Sequence, residues 1–263
     1  MHKFVSRLVL TATLLPAGYW CVGLLSRHPQ AAMAAELRPI TGAGDRHQQP
    51  LIMTESSQDE QRFLRALPRG FQMPGDEAGN LLLREYGSVF VARDGAVPPI
   101  KVVFTADEDV RAFQSSTAIS TETIGGHRIK LQRPAMTALK AAITEARRYR
   151  LSITPRGADS GSRGYDQTVS LWASRVDPGL AHWVAKGRIT KADVKRIKSL
   201  TPYQQVPEIL RLEQSGIYFS KDLSKSIIYS VAPPGTSQHL SMLAFDVAEF
   251  DNVRVRAVLA KYG

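Results

Sequence analysis

The sequence predicts an α+β fold in which helices pack on one side of a small, mainly antiparallel sheet. Residues 134–148 repeat apolar side chains at helical spacing, and residues 173–216 also have a helical pattern. Short apolar runs of strand length, each followed by turn-forming or polar residues, lie at residues 87–93, 100–104, 151–154 and 243–247. The predicted sheet is built from such runs.

Composition limits the class of protein and its partners. The 263 residues are long enough for one medium domain, or for a domain with a smaller N-terminal piece. The net charge of +10 suits an anionic surface such as cell-wall polymer or phospholipid. Because the basic residues are spread along the chain, nucleic acid is the least favoured partner, and none is predicted. Cys21 is the only cysteine, which excludes a disulfide framework and a cysteine zinc site.

Residues 1–34 are predicted to be a signal peptide or an N-terminal membrane anchor. Lys3 and Arg7 precede an apolar run at residues 8–25, and Ala32 and Ala34 occupy the two positions that a signal peptidase reads. The run is close to the length of a membrane span, so an uncleaved anchor with membrane attachment through residues 8–25 is the alternative. Both interpretations predict a periplasmic or extracellular body. Residues 35–57 are polar and irregular, which is typical of a linker.

Residues 58–130 are predicted to form an N-terminal α/β region, to which the sequence assigns no role. A helix is expected over residues 57–67, and residues 94–99 are expected to join the first two strands in a hairpin. A further helix should follow Thr105, with acidic residues in its first turn. A turn is expected at residues 125–127.

Residues 131–263 are predicted to form the core that carries the site. The amphipathic helix at 134–148 should lead through a short strand into a glycine-rich loop at 155–164, which holds Arg156 and Arg163 and runs into a helix. The helical block at 173–216 is expected to break at Pro178, and a closing helix should be capped by Asn252 or Asp251. The last four residues resemble the beginning of another strand.

The stretch of residues 233–246 is the strongest candidate for a functional site. It contains a Pro/Gly turn, then Ser237 and His239, and then Asp246 on the predicted strand at 243–247. Imidazole nitrogen and carboxylate oxygen are both good zinc ligands, so a loop histidine and a nearby strand aspartate could face one metal ion. The alternative is a capped loop followed by a core strand, with no metal.

This stretch resembles the first metal motif of the D-alanyl-D-alanine metallo-carboxypeptidases, zinc peptidases that trim bacterial peptidoglycan stem peptides. The resemblance lies in Pro-Gly-x-Ser-x-His followed by x-x-x-x-Ala-x-Asp, and it implies that His239 and Asp246 bind zinc. Met242 departs from the family, which usually has glycine at that position. Ser237 would orient the loop or bind substrate.

A second part of the resemblance concerns the arginine loop. The family has Arg-x-Tyr/Phe-x-x-Gln-x-x-Leu-aromatic, and the residues here that fall in register are Arg163, Tyr165, Leu171 and Trp172. Thr168 stands where the family has glutamine. The planar donor fork of arginine matches the terminal carboxylate of a carboxypeptidase substrate, so Arg163 is the first candidate for substrate binding and Arg156 the second. Alternatively, both arginines are loop charges or partners of helix ends.

No residue matches the third zinc ligand or the general base of the family, so no catalytic residue is assigned and the chain is expected to be truncated before them. The resemblance implies an exported zinc-dependent D-alanyl-D-alanine carboxypeptidase-like peptidase that acts on peptidoglycan peptides and is impaired in this chain. The alternative is a non-catalytic cell-wall-binding or periplasmic interaction protein that keeps the fold.

Overall fold

The computed structural model describes residues 55–263, with side chains from residue 58 onward. The predictions for the signal peptide or anchor and for nearly all of the linker therefore lie outside the described residues. Within the described part of the chain, no helix is both long enough and apolar enough to cross a membrane.

The fold is α+β, as predicted. Residues 55–263 form eight α-helices and one two-stranded antiparallel sheet. In chain order, the elements are α1 Glu55–Ala66, α2 Glu77–Glu85, α3 Asp107–Ser115, β1 Ile119–Ile124, β2 His127–Gln132, α4 Arg133–Arg148, α5 Tyr165–Ala185, α6 Lys191–Lys198, α7 Gln205–Gln214 and α8 Val253–Lys261. Short 3-10 helices lie at Gly87–Val91, Ile227–Tyr229 and Gln238–Ser241.

The sheet is a hairpin of β1 and β2, and neither strand was predicted from the sequence. Its register runs from Ile119 opposite Gln132 to Ile124 opposite His127, and the expected turn lies at Gly125 and Gly126. β1 is rich in Ser, Thr and Glu, so it lacks the apolar run on which the strand prediction relied. β2 buries Ile129 and Leu131 in one hydrophobic cluster with α4 and α8.

The predicted hairpin of residues 87–93 and 100–104 is wrong. Gly87–Val91 is a 3-10 helix, in which the neighbouring side chains of Val89 and Phe90 are both buried. A strand with one covered face would bury only alternate residues. Residues 100–104 are irregular, with a single parallel bridge between Lys101 and Gln72.

The predicted strands at 151–154 and 243–247 do not form either. The two segments run side by side, but only Pro155 and Val247 make an antiparallel bridge. Proline has no amide hydrogen, so it cannot donate a ladder hydrogen bond. The backbone N–H of Asp246 instead donates to the carbonyl of Ser160, at 2.9 Å. Residues 243–246 are therefore an irregular segment fixed by hydrogen bonds to the arginine loop.

The predicted helices are present, but α5 does not break at Pro178. Val176 and Leu180, on either side of the proline, are buried in the largest hydrophobic cluster, and Gly179 lies against the ring of Phe219. Proline inside a helix costs about 3 kcal/mol, and packing of the surrounding turns outweighs this cost. At the other end of the chain, Ala260 and Lys261 belong to α8 rather than to a strand.

The hydrophobic core crosses the predicted boundary at residue 131. The largest cluster combines α2 and the Gly87–Val91 helix with α5, α7 and the segment 217–231. A small third cluster of Phe104, Val110 and Leu240 joins α3 to the 3-10 helix that contains His239. Residues N-terminal to 131 thus support the loop that carries the predicted metal ligands.

Glu213, near the C-terminal end of α7, is buried and only 6% exposed. Its carboxylate accepts hydrogen bonds from the backbone N–H groups of Phe219, at 3.1 Å, and Ile227, at 2.7 Å, and from the hydroxyl of Ser226. Burial raises the pKa of Glu213 in spite of these donors. One acid of α7 therefore holds the segment that leads to Ile227–Tyr229.

Replacing Glu213 with glutamine should make the protein less sensitive to pH. The raised folded-state pKa means that, above about pH 4.3, Glu213 keeps its proton in the folded protein more than in the unfolded chain. The stability of the wild type therefore falls as the pH rises above this value. Glutamine cannot ionise, and its amide can satisfy the same three partners. In urea unfolding, the free energy of unfolding of E213Q relative to the wild type should increase by about 1 kcal/mol between pH 4 and pH 8. A difference that is constant across this range would contradict the prediction.

Candidate functional site

The loop of residues 233–246, here the His239 loop, begins with a tight turn that only glycine allows. The backbone N–H of Thr236 donates to the carbonyl of Pro233 at 3.0 Å, and Gly235 has a φ of +74°. The carbonyl of Gly235 accepts from the N–H of Phe104 at 2.9 Å. A Cβ atom at position 235 would lie 1.8 Å from the Phe104 carbonyl oxygen. The turn is thus pressed against the segment before α3.

The 3-10 helix Gln238–Ser241 places His239 inside the protein. Ser237 caps this helix, and its hydroxyl oxygen accepts from the N–H of His239 at 3.4 Å. Met242 ends the helix in the left-handed conformation, with φ +57° and ψ +31°, and is fully buried. Its carbonyl accepts from the N–H of Gln132, at the end of β2, at 3.0 Å. The loop is therefore fixed at both ends.

The structure brings the two predicted metal ligands together. Nε2 of His239 lies 3.3 Å from Oδ1 of Asp246. The imidazole is 2% exposed, and the Asp246 side chain is 16% exposed. The other imidazole nitrogen, Nδ1, is buried and has no hydrogen-bond partner among the described residues. Whether these groups bind a metal stays a prediction.

Arg163 joins this pair from the arginine loop. Its Nη2 lies 2.6 Å from Oδ2 of Asp246, and its Nε lies 3.5 Å from a carboxylate oxygen of Asp159. The Arg163 side chain is only 7% exposed. Asp246 thus directs one oxygen to an imidazole and the other to a guanidinium.

The charge of Asp246 follows from these neighbours. Burial alone would raise the pKa of its carboxyl, but the hydrogen bonds and charges of His239 and Arg163 outweigh burial. The pKa of Asp246 is therefore lowered from its ordinary value. The group is a carboxylate at neutral pH, which is the form that binds metal ions.

Backbone contacts and Gln114 hold the two loops together. The N–H of Arg163 donates to the carbonyl of His239 at 3.3 Å. The side-chain amide of Gln114, on α3, donates to the carbonyls of Arg163 and Leu240, both at 3.1 Å. No pattern in the sequence singles out Gln114, because its partners lie 49 and 126 residues further along the chain.

Ser237 and Arg156, the other predicted substrate-binding residues, occupy different positions. Ser237 is buried and lines a pocket together with His239 and Arg163. Arg156 has an exposed side chain, and its backbone N–H donates to the carbonyl of Asp246 at 3.1 Å. Arg156 does not line this pocket.

The pocket beside His239 has a free volume of about 50 Å³. Thr168 and Leu171 of α5 line it together with Tyr86 and residues 228–232. The hydroxyl of Thr168 accepts from the N–H of Gly235 at 3.1 Å, so the family's glutamine position is used here to hold the turn. No motif marked Tyr86 or residues 228–232, which reach the pocket only through the packing of distant segments.

Within the part of the chain that the structure describes, the pair is not joined by a third metal ligand. Among residues 55–263, no group of three or more His, Cys, Asp or Glu side chains is arranged to hold a metal ion. The other histidines of the described chain, His127 and His182, therefore do not complete such a group with His239 and Asp246.

Comparison of the chain with protein-family models, with curated proteins and with solved structures gave no match. The assignment of function therefore depends on the geometry of this site and on the motifs in the sequence.

Proposed function

We propose that this protein is an exported, zinc-dependent D-alanyl-D-alanine carboxypeptidase-like protein that acts on peptidoglycan stem peptides, with impaired activity in the present chain. One observation carries the proposal: Asp246 has one oxygen 3.3 Å from His239 and the other 2.6 Å from Arg163. Residues of the two motifs, which are 83 positions apart in the sequence, thus meet at one site. The apolar run at residues 8–25 supports export to the compartment that contains peptidoglycan.

The conformation of Met242 also supports the resemblance. The family usually has glycine here, and the methionine was the visible departure from the motif. Met242 has a φ of +57°, in the left-handed region that glycine adopts without steric cost. The loop therefore keeps the backbone conformation that a glycine would favour, even though the side chain differs.

His239 and Asp246 fit two positions of a zinc site. Zinc bonds to nitrogen and carboxylate oxygen are about 2.0–2.2 Å long, so two tetrahedral ligands lie about 3.3–3.5 Å apart. The observed Nε2 to Oδ1 distance of 3.3 Å matches this separation. A bound zinc ion supplies a Lewis acid and lowers the pKa of water. With only two side-chain ligands, binding should be weak.

Arg163 would hold the terminal carboxylate of the substrate. Its side chain lines the pocket with His239, while one of its nitrogens stays on Asp246. The planar guanidinium fork is the side chain that best matches a carboxylate, which is why Arg163 is proposed for this role. The Ser237 hydroxyl lies in the same pocket, where it can hydrogen-bond the peptide.

Calorimetric zinc titration tests the metal half of the proposal. We expect weak binding at one site, and we expect His239→Ala to weaken it by at least about tenfold because half of the protein ligands are removed. His127→Ala is the matched control, because it removes an exposed imidazole that does not line the pocket and should leave the affinity unchanged. Zinc binding that is unaffected by H239A would overturn the site. Tight one-to-one binding to the wild type would show that the predicted impairment is wrong.

A non-catalytic cell-wall-binding protein is the second candidate. It is favoured by the lack of a third metal ligand among residues 55–263. The two functions differ in one product. A peptidase releases D-alanine from a peptide ending in D-Ala-D-Ala when zinc is present, whereas a binding protein leaves the peptide intact.

A further inference from the structure

Positive charge is concentrated at the surface around α6. Residues 186–198, which comprise α6 and the turn before it, contain six Lys and Arg residues and one acid, a net charge of +5. The whole chain has a net charge of +10, so this short stretch carries an excess equal to half of it. Within α6, only Ile197 is buried. The helix therefore lies on the surface, with its charged side chains towards solvent.

Three lysines form a stripe along one side of α6. Lys191, Lys195 and Lys198 are separated by four and three residues, which places them on the same side of the helix. The stripe is about 10 Å long at the rise of an α-helix. All three side chains are exposed, and so is that of Lys186, which ends α5 just before the turn into α6. These four lysines are here called the α6 basic surface.

The acids around α6 leave most of this charge uncompensated. The carboxylate of Asp193 accepts from the N–H and the hydroxyl of Thr190, at 2.9 and 2.7 Å, and so completes the N-terminal cap of α6. Glu208, on α7, pairs with two arginines. Asp177, on α5, pairs with Lys198 at 2.8 Å. Among the ion pairs of the described residues, none includes the other three lysines of the α6 basic surface.

An extended layer of negative charge fits these lysines better than a single oriented ligand does. An ammonium group on a flexible stem acts as a point charge and lacks the planar fork that orients one phosphate or carboxylate. Residues 186–198 contain no aromatic residue on which a nucleic-acid base could stack. Clusters of about four to eight basic side chains on a helix bind anionic phospholipid headgroups. The apolar run at residues 8–25, as signal peptide or anchor, indicates that this chain meets a membrane.

We propose that the α6 basic surface docks the folded part of the chain onto anionic phospholipid headgroups. Lys186, Lys191 and Lys195 contribute most, because Lys198 shares its charge with Asp177. The contact fixes which face of the protein is turned towards the bilayer. It is independent of the proposed peptidase function, since none of the four lysines lines the pocket beside His239.

Co-sedimentation of the full chain with vesicles tests this docking. Three unpaired lysines, at about fivefold each, predict about hundredfold tighter binding to phosphatidylglycerol vesicles than to phosphatidylcholine vesicles. The variant Lys191→Gln/Lys195→Gln should lower this preference about 25-fold. The matched control is Arg128→Gln/Lys130→Gln, which removes the same charge from β2, where these residues alternate with buried ones. The control should keep the preference of the wild type.

Acetylation of lysines by a water-soluble reagent, analysed by mass spectrometry, measures the contact directly. This readout remains valid if residues 8–25 hold the full chain on both kinds of vesicle. Lys191 and Lys195 should react more slowly on phosphatidylglycerol vesicles than on phosphatidylcholine vesicles, because headgroups cover them. Lys130 should react at the same rate on both.

Three results would overturn the docking surface. The first is acetylation of Lys191 and Lys195 at equal rates on the two kinds of vesicle. The second is slower acetylation of Lys130 to the same extent, which would show a general effect of charge. The third is tighter binding to a short DNA duplex than to phosphatidylglycerol vesicles at the same salt concentration, which would favour a nucleic-acid partner instead.

Discussion

Replacing Gly235 with alanine is expected to destabilise the protein by about 3 kcal/mol or more. The φ of +74° already disfavours alanine, and the new Cβ would lie 1.8 Å from the carbonyl oxygen of Phe104. This contact is with backbone, so no side chain can rotate away to relieve it. The turn would have to move, and its hydrogen bonds with the Phe104 N–H and the Thr168 hydroxyl would be lost or distorted.

Gly126→Ala provides the matched control for this change. Gly126 has a similar φ of +83°, but nothing lies within 4 Å of the position of its Cβ. Only the backbone conformation is penalised there, at a cost of about 1 kcal/mol. Urea unfolding of the two variants separates backbone strain from steric conflict. Equal losses of stability in G126A and G235A would contradict the close approach of Gly235 to Phe104.

Local signals account for what the sequence predicted well. Asn252 lies directly before α8 and caps it, and the apolar periodicity of residues 134–148 coincides with α4. These features depend on hydrogen bonds and side-chain spacing within one or two turns, so they can be recognised without knowledge of the fold.

The strand predictions failed because pairing is a property of two segments. The apolar residues at 87–91 are buried in the largest hydrophobic cluster as a 3-10 helix that follows α2, without forming a strand. β1, in contrast, has few apolar residues and is a strand because it pairs with β2 across a tight turn. Short apolar runs therefore indicate burial in this protein without specifying the backbone conformation.

The candidate site was predictable where its residues are close in sequence. Ser237, His239 and Asp246 belong to one loop, so their short spacing in the sequence already predicts that they lie close together in space. The contact of Arg163 with Asp246 could not be derived in this way, because the sequence suggested a substrate carboxylate, a loop charge or a helix end as the role of that guanidinium. The structure adds a second partner, since Arg163 also balances the charge of the predicted metal ligand.

Replacing Asp246 with asparagine is expected to destabilise the protein by about 3 kcal/mol at neutral pH, because it leaves the Arg163 guanidinium buried without its closest counter-charge. The double variant R163M/D246N should lose less than the sum of the two single variants, since it leaves no buried charge unpaired. Asp177→Asn is the control, because the exposed Asp177–Lys198 pair at 2.8 Å should contribute no more than about 0.5 kcal/mol.

The same variant has a predicted pH dependence. Because the folded-state pKa of Asp246 is lowered, its contribution to stability is present above the unfolded-state value of about 3.9 and is lost as pH falls below it. The difference in stability between wild type and D246N, measured by urea unfolding, should therefore be constant from pH 5 to pH 8 and shrink below about pH 4. A difference that persists unchanged at low pH would mean that the Asp246 charge does not stabilise Arg163. The ion pair would then make no electrostatic contribution to stability. The stability loss of the double variant would in that case equal the sum of the losses in the two single variants.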